Sequence, residues 1–188
     1  MARPRSFDEA EVLTCAMTTF WRLGFDATTY KVLEGETGVG VRSMHNTFGE
    51  KEELFLKALD TYHASVAALM DQVFDPPGIA AIQTIFRGAT APRPDGDIAH
   101  SGCLMVNTVF ELQDRSVEID ARLKAYKQML RDRFFGALQH DGISDADQRA
   151  EFLVGALWGI LSQIRLAGRA EAGAPMAGVI VETISGWA

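Results

Sequence analysis

The stretch that decides the fold is GETGVGVRSMHNTFGEKEELF, Gly35 to Phe55. Gly38 marks a turn. Ten residues follow that mix Arg, Ser, His and Asn with few apolar side chains, and at EKEELF a long amphipathic run begins. A short, weakly apolar segment between two good helices contributes little to a core. Its polar side chains suit contact with something outside the chain.

Working outward, the pattern is helical throughout. Leu13, Ala16, Met17 and Phe20 follow helical spacing, with Gly24 as a stop and Ser6 or Asp8 as the opening cap. Thr28 or Thr29 caps a short second helix that ends at Gly38, and a third runs from about Val41 to Phe48. The fourth is long, with Phe55, Ala58, Leu59, Tyr62, Val66, Leu69 and Val73 on one stripe. It stops before Pro76-Pro77-Gly78, because proline lacks the amide and disfavours helix in the residue before it. A fifth covers Ile79 to Ala89, and TAPRPDGDIAHSG is a loop. CLMVNTVFEL is the sixth and Val117 to Gln139 the seventh, stopping at Gly142. Asp145 caps an eighth that runs to Gly168, and MAGVIVETISGW is the ninth. No β-alternation, repeat or low-complexity tract is visible. The expected fold is all-α, about nine helices.

Composition bounds the function. The chain has 188 residues, 47% apolar and 23% charged, an ordinary globular balance able to bury a core. The net charge of −7 gives no bulk attraction to nucleic acid, so any such site must be local. Cys15 and Cys103 lack paired spacing, which suits a reducing cytosol over a disulfide framework. There is no apolar signal region after MARPRS and no uninterrupted apolar run of spanning length, so a cytoplasmic location and no membrane partner are expected. No phosphate-cradling glycine loop, HExxH or nucleophile elbow is present, and neither an enzyme nor a cofactor is expected.

Helices two and three with their glycine turn form a helix-turn-helix. Leu33, Val39 and Met44 are expected to pack inward, leaving Arg42, Ser43, His45 and Asn46 outward, where such side chains can meet base edges and phosphates. Residues 1–60 hold seven Lys/Arg against ten Asp/Glu, yet Arg3, Arg5, Arg42 and Lys51 all fall on segments expected at a DNA face. The helix start at Lys51 would also offer amides and a favourable dipole to a phosphate.

TTYKVLEGETGVGVRSMHNTFGEKEELF, placed after FWRLGFDA, resembles the DNA-binding domain of the TetR family of transcriptional repressors. Phe20, Gly24, Thr28-Thr29, Leu33, Gly38-Val39, Phe48, Lys51 and Leu54 carry the likeness. Three positions depart: His45 where an aromatic, mostly tyrosine, is usual, Glu34 where a small residue is usual, and Gly35 beside it. The resemblance implies a helix-turn-helix domain over residues 1–50 and a helical effector-binding and dimerisation domain over 51–188. It also implies a homodimer on a palindromic operator, a small-molecule effector, and DNA contacts that include Thr29, Tyr30, Gly40 and Val41.

For the body, Tyr62, His63, Phe86, Asn107, Phe110 and Tyr126 suit an apolar effector pocket, although each suits a packed core equally. Asn107 stands mid-helix among apolar residues and needs a partner, from the backbone or a ligand. Cys103 sits at the expected start of helix six, where a helix dipole can favour the thiolate. Some members of the resembling family with a similar GCL segment respond to electrophiles or oxidants there, so a thiol sensor is one alternative and a packed apolar side chain the other. His100 and Cys103 form an H-x-x-C pair with no further ligand nearby in sequence, and no metal site is expected. FLVGALWGILSQI and MAGVIVETISGW are apolar nearly all round, which implies burial all round. Leu153, Leu157, Ile160, Leu161, Ile164, Val179, Ile180 and Ile184 are therefore expected in a four-helix dimer interface, with a larger intrachain core as the alternative. A helical protein adaptor without DNA binding is the remaining alternative.

Overall fold

The computed structural model describes residues 7–187, and Arg3, Arg5 and Ser6 lie outside the described residues. Nine α-helices and two short 3₁₀ turns make up the described chain. The helices are α1 (Glu9–Leu23), α2 (Tyr30–Thr37), α3 (Val41–Phe48), α4 (Lys51–Val73), α5 (Ile79–Ala89), α6 (Leu104–Glu111), α7 (Val117–His140), α8 (Ala146–Ala167) and α9 (Ala174–Ser185). The turns span Ile98–Ser101, within the expected loop, and Ala170–Gly173.

Local chemistry accounts for most boundaries. Asp8 caps α1, its carboxylate accepting from the amides of Ala10 at 2.8 Å and Glu11 at 3.3 Å. Thr29 caps α2 through Val32 N–H, while the buried Thr28 hydroxyl donates to the Gly24 carbonyl at 2.7 Å. Gly38 ends α2 in the left-handed conformation, φ 70°, which glycine adopts without a Cβ penalty. Asp145 departs from its expected role: it precedes α8 with φ 53° and its side chain makes no capping bond.

The short helices α1–α3 pack around the first half of α4. Phe20, Leu33, Met44, Leu54 and Phe55 are almost wholly buried there. The rest of α4 enters the body, where α7 and α8 make the most extensive helix pairing. By length and composition alone α8 is apolar enough to cross a membrane. Its apolar face is occupied within the chain.

That occupancy corrects the expected dimer residues. Leu153, Leu157, Ile160, Ile164, Ile180 and Ile184 are buried inside the single chain, and Leu161 is half-buried, lining a cleft beside α4 and α5. A side chain enclosed by its own chain has no surface to offer a second copy. Of the eight residues, Val179 alone is exposed, at 62%. The exposed residues of the last two helices include Phe152, Gly155 and Leu166 on α8 with Gly178 and Val179 on α9. Burial all round was expected of α8, but Phe152 and Leu166 on it are exposed, and the burial it has comes mostly from α7, α6, α9 and the Ala170–Gly173 turn.

Ile160→Ala is accordingly a core truncation. It should lower unfolding stability by about 2–5 kcal/mol, measured by denaturant titration with an unchanged denaturant slope. A loss within experimental error would contradict the packing described.

Candidate nucleic-acid interface and effector cleft

The head is built around α3. Met44 and Phe48 point inward and are buried, while Arg42, Ser43, His45 and Asn46 on the opposite side are exposed. Among the described residues Arg42 has no ion-pair or hydrogen-bond partner, whereas Arg22 pairs with Glu36 and Lys31 with Glu34. Gly40 is exposed immediately before the helix, and Val41 is half-buried as its first residue.

Glu34, the expected misfit between α2 and α3, has a local task. Its carboxylate accepts from the Val41 amide at 3.3 Å, satisfying one of the free N–H groups at the start of α3. The Lys31 ammonium beside it, then the Val41 bond, hold its carboxyl below the usual carboxylate range. A long acidic side chain thus spans the helix-turn-helix where a small residue would let the helices close up.

Two of the candidate contacts are committed inside the protein. The Tyr30 hydroxyl donates to the Gly49 carbonyl at 2.7 Å, tying α2 to the turn after α3. The Lys51 ammonium donates to the Phe25 carbonyl at 3.1 Å and lies 4.1 Å over the Phe25 ring, so it secures the end of α1 to the start of α4. The α4 start differs from the open anion seat expected of it. Glu50 and Glu53 form a capping box, with the Glu50 amide donating to Glu53 at 2.8 Å. These carboxylates occupy first-turn amides that a phosphate would need. His45 stands 3.1 Å from Glu50 and 5.7 Å, ring to ring, from Tyr30.

The expected pocket residues divide between two places. Tyr62 and Tyr126 line a cleft of about 250 Å³ between α4, α5, α7 and α8. His63 meets the edge of Tyr126 at 5.6 Å. Phe86 is fully buried against Phe134, a core pair. Asn107 and Phe110 lie elsewhere, along a groove with Leu23, Glu111, Arg165 and Leu166. Phe110 is 69% exposed there, and the Asn107 amide donates to the Ser101 carbonyl at 2.8 Å, so its partner is backbone. The cleft residues absent from the sequence reading include Met70, Thr84, Ile85, Gly88 and Arg93, while Leu157 and Leu161, expected at a dimer interface, also line it.

Cys103 precedes α6 and is buried, its sulfur 3.5 Å from the Tyr126 hydroxyl. Of the two alternatives, an accessible sensor thiol and a packed side chain, this burial favours the packed one, with Tyr62, Tyr126 and the start of α6 around it. Burial first, and then Cys103, push both phenols well above the usual tyrosine range. Among the described residues no three His, Cys, Asp or Glu side chains come together as metal ligands.

A half-buried helical pair joined by a left-handed glycine, with one polar helix face turned outward, defines the class: a helix-turn-helix DNA-binding protein. No family model matches the chain. The uncharacterized HTH-type transcriptional regulator YezE of Bacillus subtilis (strain 168) is 29% identical over 140 residues, covering 73% of this chain and 72% of its own. The HTH-type transcriptional repressor ComR of Escherichia coli (strain K12) is 30% identical over 129 residues, 68% of this chain and 61% of its own. A cysteine mutant of the TetR family regulator CifR, solved in complex with 26-bp double-strand operator DNA, superposes with a TM-score of 0.79 at 23% identity over 100% of both chains. The chain has the fold of the TetR-family transcriptional regulators, and its relatives are HTH-type regulators.

The three tyrosines of the chain give a test of this geometry. Burial, followed by the charges of Glu50 and Glu53, pushes Tyr30 up to about 12, and the other two stand well above the usual value of 10. The neutral phenol is thus favoured by folding. The stability it lends is complete below pH ~10 and is lost as pH rises toward the folded value. Ultraviolet difference titration should show almost no phenolate at pH 10, and Tyr30→Phe should remove the earliest phenolate to form. A full phenolate signal at pH 10 in folded protein would refute the assigned burial.

Proposed function

We propose that the chain is a dimeric repressor that binds a palindromic operator and is released by a small-molecule effector. The observation that carries this reading is the outward face of α3, where Ser43, His45 and Asn46 stand exposed with Arg42, whose guanidinium is unpaired in a head otherwise rich in acid–base pairs. A major groove accepts one α-helix, and arginine pairs bidentately with guanine. Support comes from ComR, named a repressor, and from CifR, whose complex holds operator DNA. Residues 1–50 serve as the DNA-binding part and 51–188 as the effector and dimerisation part, in the cytoplasm. Thr29, Gly40 and Val41 place backbone and small side chains at the groove edge, and Tyr30 and Lys51 hold the recognition unit in place.

A palindrome is read by two heads about one helical turn apart, which requires two copies. The outward surface of Phe152, Gly155, Gly178 and Val179 suits this. A Cβ added at Gly155 or Gly178 would meet nothing within 4 Å, so a second copy can approach the backbone closely there. The 49% exposed Phe152 and the exposed Val179 supply apolar area.

The DNA reading is tested with Arg42→Ala. It should weaken operator binding by about 1–3 kcal/mol and leave the oligomeric state unchanged, as measured by fluorescence anisotropy over a salt series. Binding as tight as wild type would take α3 out of the groove.

The interface reading is tested with Val179→Asp. The residue is exposed in a single chain, so the fold should survive. An unpaired carboxylate would be buried twice per dimer. Sedimentation velocity should show folded monomer and a matching loss of operator affinity. A persistent dimer would move the interface elsewhere.

A further inference from the structure

The cleft between α4, α5, α7 and α8 has a chemically lopsided lining. Val66, Leu69, Ile85 and Leu157 give it apolar walls, and the rings of Tyr62 and Tyr126 close one end. The phenols bring little free polarity, because the Tyr126 hydroxyl is engaged by Cys103 and the Tyr62 hydroxyl by Cys103, Tyr126 and the Leu104 amide. No carboxylate lines the cleft, and Arg93 is its one charged residue.

Arg93 differs from the four arginines of the body that pair with carboxylates. Arg115 faces Asp120, Arg122 faces Asp60, Arg131 faces Asp147 and Arg133 faces Asp71. Among the described residues Arg93 has only one long bond, to the Gly88 carbonyl at 3.4 Å, which holds its guanidinium at the rim. Arg87, Arg149 and Arg165 also lack a carboxylate, but they meet Gln83, the Trp187 ring and backbone carbonyls, whereas Arg93 stands at the rim of an apolar cleft with no acidic side chain in its lining. The planar fork of Arg93 matches a carboxylate bidentately, and the apolar wall beside it strengthens the pairing by excluding water.

Resting on the reading of this cleft as the effector seat, we propose that the effector is a small amphipathic carboxylic acid. Its hydrocarbon body lies against Val66, Ile85 and Leu157, and its carboxylate meets Arg93. The volume of about 250 Å³ lies below the ~300–1,000 Å³ of drug-sized sites, which restricts the body to a single ring or a medium-length chain. Occupation would press on Tyr62, whose ring meets Trp21 of α1 edge-on at 4.9 Å, a direct route from ligand to head.

Isothermal titration of the full chain with octanoate, octanol and octylamine tests the ligand class, alongside release of operator DNA. Octanoate should bind at least tenfold tighter than octanol or octylamine. Arg93→Gln should erase that advantage and leave octanol binding unchanged. Gly88→Leu, at a helical position where an added Cβ meets nothing within 4 Å, should weaken octanoate and octanol together. Equal binding of all three probes, or no binding of octanoate, would overturn the carboxylate assignment. Octanoate binding indifferent to both substitutions would place its seat outside the cleft. Tight, Arg93-dependent binding that leaves operator affinity unchanged would uphold the ligand class and overturn the effector reading beneath it.

Discussion

The ring of Phe55 on α4 is the contact on which the arrangement turns. It meets Phe20 at 4.8 Å and Phe25 at 4.9 Å, the last residues around the end of α1. Aromatic side chains bury large areas in geometrically specific pairs, so this cluster fixes the direction in which α1 approaches α4. The Lys51 ammonium over the outer face of Phe25 closes it from the solvent side. Because α2 and α3 rest on α1 and α4, the aim of α3 follows from where these three rings sit. The same α4 then continues into the body, so one continuous helix belongs to both halves of the molecule.

A second chain of contacts runs from the body back to α1. Cys103, Tyr126 and Tyr62 touch in sequence, and Tyr62 meets Trp21. Polar ties lie beside this aromatic path. Arg165 on α8 donates to the carbonyl of Arg22 at 3.1 Å, one of the groups that the last turn of a helix leaves unpaired. Glu111 at the end of α6 accepts from the Asp26 amide at 3.2 Å. The head is therefore held by α6 and α8 as well as by α4, and a shift of either helix acts on α1 directly.

The helices were legible because their signals are local. Capping residues, turn glycines and the Pro76-Pro77 stop act within a few positions, and the periodicity of α4 needs no knowledge of its neighbours. The exposed face of α3 was legible for the same reason, since Met44 and Phe48 lie on one side of an eight-residue helix. Legibility failed where a side chain's surroundings come from distant sequence. The apolar residues of α8 are equally good for its own chain and for a partner, and composition cannot say which. Only the folded arrangement shows α7, α6, α9 and the Ala170–Gly173 turn taking most of them. Arg93 was missed because it sits in a proline-bearing loop with no periodicity, and Phe110 was misplaced because α6 ends at the surface instead of the cleft. At Lys51 the cation was legible but its partner was not, because the Phe25 carbonyl and ring come from the segment after α1.

Gly24 carries two demands at once. Its φ of 85° ends α1, and the Glu111 carboxylate lies about 2.5 Å from where a Cβ would project. Position 24 is thus a socket as well as a stop, filled by a side chain from the other half of the molecule. A head transplanted from a relative onto this body would need a glycine there to seat Glu111, and a body transplanted beneath this head would need a side chain able to reach that socket. The two halves form an interlocking pair whose compatibility is decided at one residue without a side chain, so exchange between relatives succeeds or fails at that joint before any question of DNA or ligand arises.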